Sequence, residues 1–166
     1  MEGHDGPYDA PVMIGPRKVS ADWIDYNGHM NVAYYTMAFD QAVDVFLEEH
    51  LGIGETFAAR EKMGPYALQA HIHYLGELLE GEAFTVEIIL HEQDARRMHL
   101  VMVMKKADTG AISAVCEQVL MNVDLTARRS APYPDWAQAR LAAMQAGHAG
   151  ITRPPQMGQP IGFLKR

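Results

Sequence analysis

Hydrophobic positions change period along this chain, and each period predicts an element. From Asn31 onward, apolar side chains recur at Val32, Tyr35, Phe39, Ala42, Val43 and Phe46, a helical spacing that gathers them on one face. Asn31 suits an N-cap, so one long helix is expected from about Asn31 to about His50. Leu51-Gly52-Ile53-Gly54 interrupts it, and a short second helix is expected over Glu55 to Lys62. After Met63-Gly64-Pro65 the period falls to two. Leu68, Ala70, Ile72 and Tyr74 then share one strand face, and Gln69, His71 and His73 the other. Phe84, Val86, Ile88 and Leu90 repeat the pattern after the Glu80-Gly81-Glu82 turn. Met98 to Met104 is almost continuously apolar, as in a strand buried on both faces, and Asp108-Thr109-Gly110 turns the chain into a last long strand from Ile112 to Leu125.

Before the long helix, Val12 to Trp23 reads as a first strand broken at Gly15-Pro16. Ser130-Ala131-Pro132-Tyr133-Pro134 ends the sheet, a short helix is expected from about Asp135 to Gln145, and the segment from His148 is rich in Gly and Pro. The order is strand, long helix, then four strands. That is an α+β plan, met by an antiparallel sheet curled around a central helix. Residues 1–11 are expected to form a flexible arm, 12–130 the domain, and 131–166 an extension carrying the short helix. Asp40, Asp44 and Glu48 form one like-charged row along the long helix, which must face water or a cationic partner.

The 166 residues carry 14 Lys+Arg against 21 Asp+Glu, a formal charge of −7. This balance disfavours broad binding to nucleic acid or to an anionic membrane. Hydrophobic residues make up 48% of the chain, enough for a packed core, and the single cysteine, Cys116, precludes an internal disulfide framework. The N-terminal stretch lacks a secretory pattern and no run is long and apolar enough to span a bilayer, so a cytoplasmic location is expected. No phosphate-binding or dinucleotide-binding glycine motif is present, and no cofactor is called for. The 11 methionines fill irregular core space or line an acyl cavity.

The densest polar cluster is Asp25-Tyr26-Asn27-Gly28-His29-Met30-Asn31, between a strand end and a helix start. A helix N-terminus offers unpaired amides and the positive end of the dipole, which suit a carbonyl gaining negative charge. Gly28 leaves the approach open. Asp25 is placed to activate water or to attack, with His29 and Asn31 as orienting groups. The set suits acyl transfer to water. A tight turn with a capping residue would use the same residue types for local reasons.

Trp23-Ile24-Asp25-Tyr26-Asn27-Gly28-His29-Met30-Asn31-Val32-Ala33-Tyr34-Tyr35, with the helix that follows, resembles the signature of hotdog-fold acyl-CoA thioesterases of the 4-hydroxybenzoyl-CoA thioesterase type. The likeness runs over about residues 12–128 and includes Val123-Asp124 near the end of the last strand. It implies that Asp25 is the catalytic carboxylate, as general base or nucleophile, and that amides near Val32 and Ala33 hold the thioester carbonyl of an acyl-CoA substrate. It also implies a homodimer joined through its sheets, with each active site at the subunit boundary, or a homotetramer made of two such dimers. Ala70-His71-Ile72-His73-Tyr74-Leu75 and Glu117-Gln118-Val119-Leu120-Met121-Asn122-Val123-Asp124 resemble the subgroup that hydrolyses betainyl-CoA or carnitinyl-CoA. A trimethylammonium acyl group calls for aromatic faces or carboxylates. Trp23, Tyr34, Tyr35 and Tyr74 are candidates, with Glu117 or Asp40 beside them; each also suits the core or an interface.

Glu117 interrupts an apolar run, so it is either a second functional acid or a residue on the outer sheet surface. His71 and His73 share a strand face without the further ligands a metal needs, so no metal is expected there. Arg96 and Arg97 form the most basic stretch, with Arg128-Arg129 as an alternative, and are candidates for the CoA phosphates. Two other classes remain open: a hotdog dehydratase or hydratase, and a non-catalytic acyl-CoA-binding module.

Overall fold

A computed structural model describes residues 5–163. Strand β1 (Val12–Lys18) leads through a short 3-10 turn (Ala21–Trp23) to helix α1 (Val32–Val45), which continues as a π-helical turn over Phe46–Leu51. Helix α2 (Glu55–Glu61) precedes β2 (Met63–Tyr74), β3 (Ala83–Gln93), β4 (Arg97–Lys106) and β5 (Ile112–Asp124). A two-residue strand β6 (Arg129–Ser130) and helix α3 (Asp135–His148) follow. The antiparallel sheet runs β1-β3-β4-β5-β2, with β6 on β5, so β1 and β2 are its edges.

The expected architecture is present: a curled antiparallel sheet wraps one long helix. Tyr35, Ala38, Phe39, Ala42 and Val43 of α1 and Phe46 of its π-helical continuation share one core with Val86, Ile88, Leu90, Leu100, Met102, Met104, Ala114 and Cys116 of the inner sheet face. Full burial of each large side chain contributes about 1.5–3 kcal/mol, and this packing holds the start of α1 against the sheet. Met98, Met102 and Met104 are core residues, and Met98 also borders a small pocket with Arg97 and His99. Cys116 is buried with them, and burial pushes its thiol up to about 12.

Several boundaries differ from expectation. The first strand ends at Lys18, because the chain turns at 21–23 and leaves Trp23 outside it. Strand β2 begins at Met63 and includes Gly64-Pro65, which an edge strand tolerates because one side needs no backbone donor. A bulge between Ala67 and Gln69 removes Leu68 from the alternation. Ala70, Ile72 and Tyr74 therefore pair with Gln118, Cys116 and Ala114 on the inner side, while Gln69, His71 and His73 pair with Val119, Glu117 and Val115 on the outer side. Helix α3 extends to His148, beyond the expected Gln145.

His148 explains that extension. Leu90 lies beyond the β1–β3 pairing, which ends at Val12 opposite Ile88; its amide donates to His148 Nδ1 at 2.9 Å, and Nε2 in turn donates to the Asp9 carbonyl at 2.8 Å. One neutral imidazole thus joins β3, α3 and the segment before β1. Beyond α3 the chain lies on the outer sheet face, where Arg153 donates to His91 and the Gly158 amide to Glu117. The expected arm (1–11) and extension (131–166) lie partly outside the described residues, and no helix is long and apolar enough to cross a membrane.

Candidate active site

The segment between β1 and α1 is a closed turn. The Asp25 amide donates to the His29 carbonyl at 3.1 Å, the Gly28 amide to the Asp25 carbonyl at 2.9 Å, and Ile24 and Met30 form a β-bridge. Gly28 takes φ 82°, a conformation open to glycine at no cost. Asp25 Oδ1 accepts the Asn27 amide at 2.8 Å and Oδ2 accepts Asn31 Nδ2 at 3.3 Å, which fixes the carboxylate. Asn31 is the N-cap expected of it: its Oδ1 accepts the Ala33 amide at 3.0 Å.

This division of bonds sorts the two amides predicted to hold a carbonyl. The Ala33 amide is taken by Asn31, whereas among the described residues no acceptor meets the Val32 amide. Val32 N–H is then the open donor at the positive end of α1, one residue from the group that holds Asp25. His29, Val32, Tyr35, Tyr74 and Glu77 line an open groove of about 290 Å³ beside it.

The four aromatic candidates fall into two pairs. Tyr34 and Tyr35 are consecutive on α1 and so diverge by about 100° around its axis. Tyr34 stacks on Trp23 at 5.5 Å, and the Arg17 guanidinium already covers Trp23 at 5.5 Å. Tyr35 turns towards Tyr74, edge to face at 5.3 Å, on the groove side. Its hydroxyl accepts the Leu78 amide at 3.1 Å and donates to the Gly76 carbonyl at 3.4 Å, and burial pushes this phenol up.

Glu117 lies on the outer sheet face, opposite α1. It pairs there with His99 Nε2 at 3.0 Å and accepts the Gly158 amide, so the sheet separates it from the Asp25 turn. His71 and His73 share that face with rings 4.4 Å apart, and no metal-competent cluster occurs among the described residues. Arg96 sits in the β3–β4 turn and Arg97 opens β4, where Asp94 holds Arg97 through two bonds of 2.6 and 2.8 Å. Trp23, two residues before Asp25, packs on Phe84 at the other end of β3, so the Asp25 turn and these arginines stand at opposite ends of that strand.

The acidic row on α1 opens onto a larger groove of about 660 Å³, shared with α2 and the start of β2. Asp40, Asp44, Glu48 and Glu55 face it beside Tyr66 and Leu120. Glu48 caps α2 through the Thr56 amide at 3.1 Å, while burial, then Asp40 and Glu55, raise the Asp44 carboxyl. The i, i+4 spacing showed the row; nothing local marked Glu55, Arg17 or Glu77 as neighbours of a site.

Residues 19–141 match the family described as the thioesterase-like superfamily. The chain is 33% identical over 153 residues to an L-carnitine dehydrogenase/betainyl-CoA thioesterase of Rhizobium meliloti, covering 92% of this chain and 30% of that one. It therefore spans less than a third of that relative's length. A betainyl-CoA thioesterase of Pseudomonas aeruginosa is 30% identical over 156 residues, 94% of this chain and 93% of its own. Among solved structures, a hypothetical protein of Staphylococcus aureus in complex with CoA superimposes with a TM-score of 0.82 and 27% identity, covering 96% of this chain and 100% of that chain.

Proposed function

The chain belongs to the thioesterase-like superfamily, and from that premise we propose that it hydrolyses a CoA thioester with a short cationic acyl group, of the betainyl or carnitinyl kind. The observation that carries this is the Asp25 carboxylate, fixed by Asn27 and Asn31 beside an α1 start whose Val32 amide is open. The thioester carbonyl accepts from Val32 N–H and meets the helix dipole, which stabilises charge on its oxygen. Asp25 takes a proton from water as the water adds, or itself adds to the carbonyl and is later released by water. Thiolate is a good leaving group.

Two features support the cationic acyl group. The P. aeruginosa relative of matching length bears the name betainyl-CoA thioesterase, and the broad groove along α1 is lined by carboxylates. The active unit is a homodimer formed through β2. Tyr66, Leu68, Tyr74 and Leu75 are 44–65% exposed along this edge, and Val32 is 57% exposed on the adjoining helix face. A two-fold pairing of β2 sets the helices antiparallel, and this brings the acidic half of one α1 towards the Asp25 end of the other. The same operation carries Arg96 and Arg97 of one copy towards the CoA end of the other's site, which neither reaches within its own chain.

Thiol release measured across betainyl-, carnitinyl-, butyryl-, long-chain and aromatic CoA esters tests this function. Preference for betainyl- or carnitinyl-CoA is expected. Equal turnover of butyryl-CoA would remove the cationic specificity, and silence with every ester would leave a hydratase or a binding module in its place.

A further inference from the structure

We propose that Glu77 is a positioning residue for His29, holding the Nδ1 edge of the imidazole so that Nε2 serves the groove beside Val32. Glu77 Oε2 lies 3.8 Å from His29 Nδ1, and both residues line that groove. An exposed pair at this distance contributes little by itself. Here the backbone on both sides of Glu77 is pinned.

On one side, the Leu75 and Gly76 amides both donate to the Ser113 carbonyl, at 2.9 and 3.1 Å. A Cβ on Gly76 would stand 3.3 Å from the Ile112 carbonyl oxygen, so this close approach favours glycine. On the other side, Leu78 is fully buried, its amide bonds the Tyr35 hydroxyl, and its carbonyl accepts the Met30 amide at 2.8 Å. Tyr35 also bonds the Gly76 carbonyl, so one phenol spans Glu77 from its predecessor to its successor. Met30 follows His29 directly, and the same loop therefore holds both members of the pair.

What His29 does there rests on the hydrolase proposed above. With Asp25 as base, water gives one proton to Asp25 and its oxygen to the carbonyl carbon. As the C–S bond breaks, its electron pair leaves on sulfur, and the His29 imidazolium delivers the Nε2 proton to that thiolate. The products are the free acid and the thiol, and solvent later reprotonates His29 and deprotonates Asp25. The ionisable groups around His29 are Glu77, Asp25 across the turn, and the phenols of Tyr35 and Tyr74.

Steady-state kinetics of the full chain with a CoA ester, with kcat and KM read separately, test the inference. In Glu77→Gln kcat is expected to fall about three- to tenfold with KM near its starting value, and the same change made in a His29→Gln background should cost nothing further. Glu77→Asp should restore part of kcat. An unchanged kcat in Glu77→Gln, or an equal loss with and without the His29 ring, overturns the positioning role while leaving the hydrolase proposal standing. A parent protein that releases thiol from no ester overturns the hydrolase proposal and this role of His29 with it.

Discussion

Asn31 holds Asp25 with one end of its amide and α1 with the other: Nδ2 donates to Asp25 Oδ2 at 3.3 Å while Oδ1 accepts the Ala33 amide at 3.0 Å. The acid and the helix terminus are thus set relative to one another by a single planar group. An aspartate would cap equally well but would offer no donor to Asp25.

That difference separates the two duties of Asn31. Asn31→Asp is expected to keep the melting temperature while lowering kcat at least about tenfold, since a second carboxylate would face Asp25. Asn31→Ala should lose both, with a stability loss of about 1 kcal/mol by denaturant unfolding. Equal turnover in Asn31→Asp and the parent protein would contradict the role.

Asp25→Asn keeps the shape of the side chain and removes the base or nucleophile. Thiol release is expected to fall by about 10²-fold or more, with an unchanged circular dichroism spectrum. Near-normal turnover in the folded variant would dismiss Asp25.

Charge in the α1 groove should show in KM. Asp40→Asn and Asp44→Asn are each expected to raise KM for betainyl-CoA about three- to tenfold at low salt, leaving KM for butyryl-CoA within twofold. A parallel rise for both esters would mean that the carboxylates do not read acyl charge.

Stability should depend on pH through His148. Burial lowers its pKa, and Nδ1 must stay unprotonated to accept the Leu90 amide. The unfolded chain takes up this proton near pH 6.5, so the stabilisation is complete above that value and is lost as pH falls through the lower folded-state value. His91, also lowered by burial and then by His99, adds with the same sign. The melting temperature is expected to drop between about pH 7.5 and 5.5, with a flatter slope in His148→Gln. An identical slope in that variant would assign the dependence elsewhere.

Sedimentation equilibrium reads the β2 edge. Leu68→Lys places a charge on the exposed β2 edge and, if the copies pair there as proposed, is expected to shift them towards monomer, with turnover lost in proportion. A dimer of undiminished affinity would show that another surface joins the copies.

Local pattern made much of this protein legible. The helical recurrence from Val32 to Phe46 gave α1 within a residue of its start, because an amphipathic helix must repeat its apolar side chains to reach one sheet face. Asn31 was legible as a cap for an equally local reason. The bulge before Gln69 was not, since Leu68 fits the alternation as well as its neighbours do, and only the pairing with β5 shows the extra residue. Glu117 stood out as a carboxylate in an apolar strand. Its assignment to the outer face follows from the register that sets Val101 opposite it, which no single strand contains.

By itself, then, the sequence determined which segments are helix and strand, that one helix must lie under a curled sheet, and that Asp25 and Asn31 stand at the start of that helix. These features depend on contacts a few residues apart. Tertiary structure decided the rest: which amide stays open once Asn31 has capped Ala33, which tyrosines face the groove, and how far Arg96 and Arg97 lie from Asp25 in one chain. It also decided that Glu77, unmarked by any motif, comes to rest against His29. Such relations are set by strand register and by the roughly 100° step between helical neighbours, so they exist only once distant segments pack.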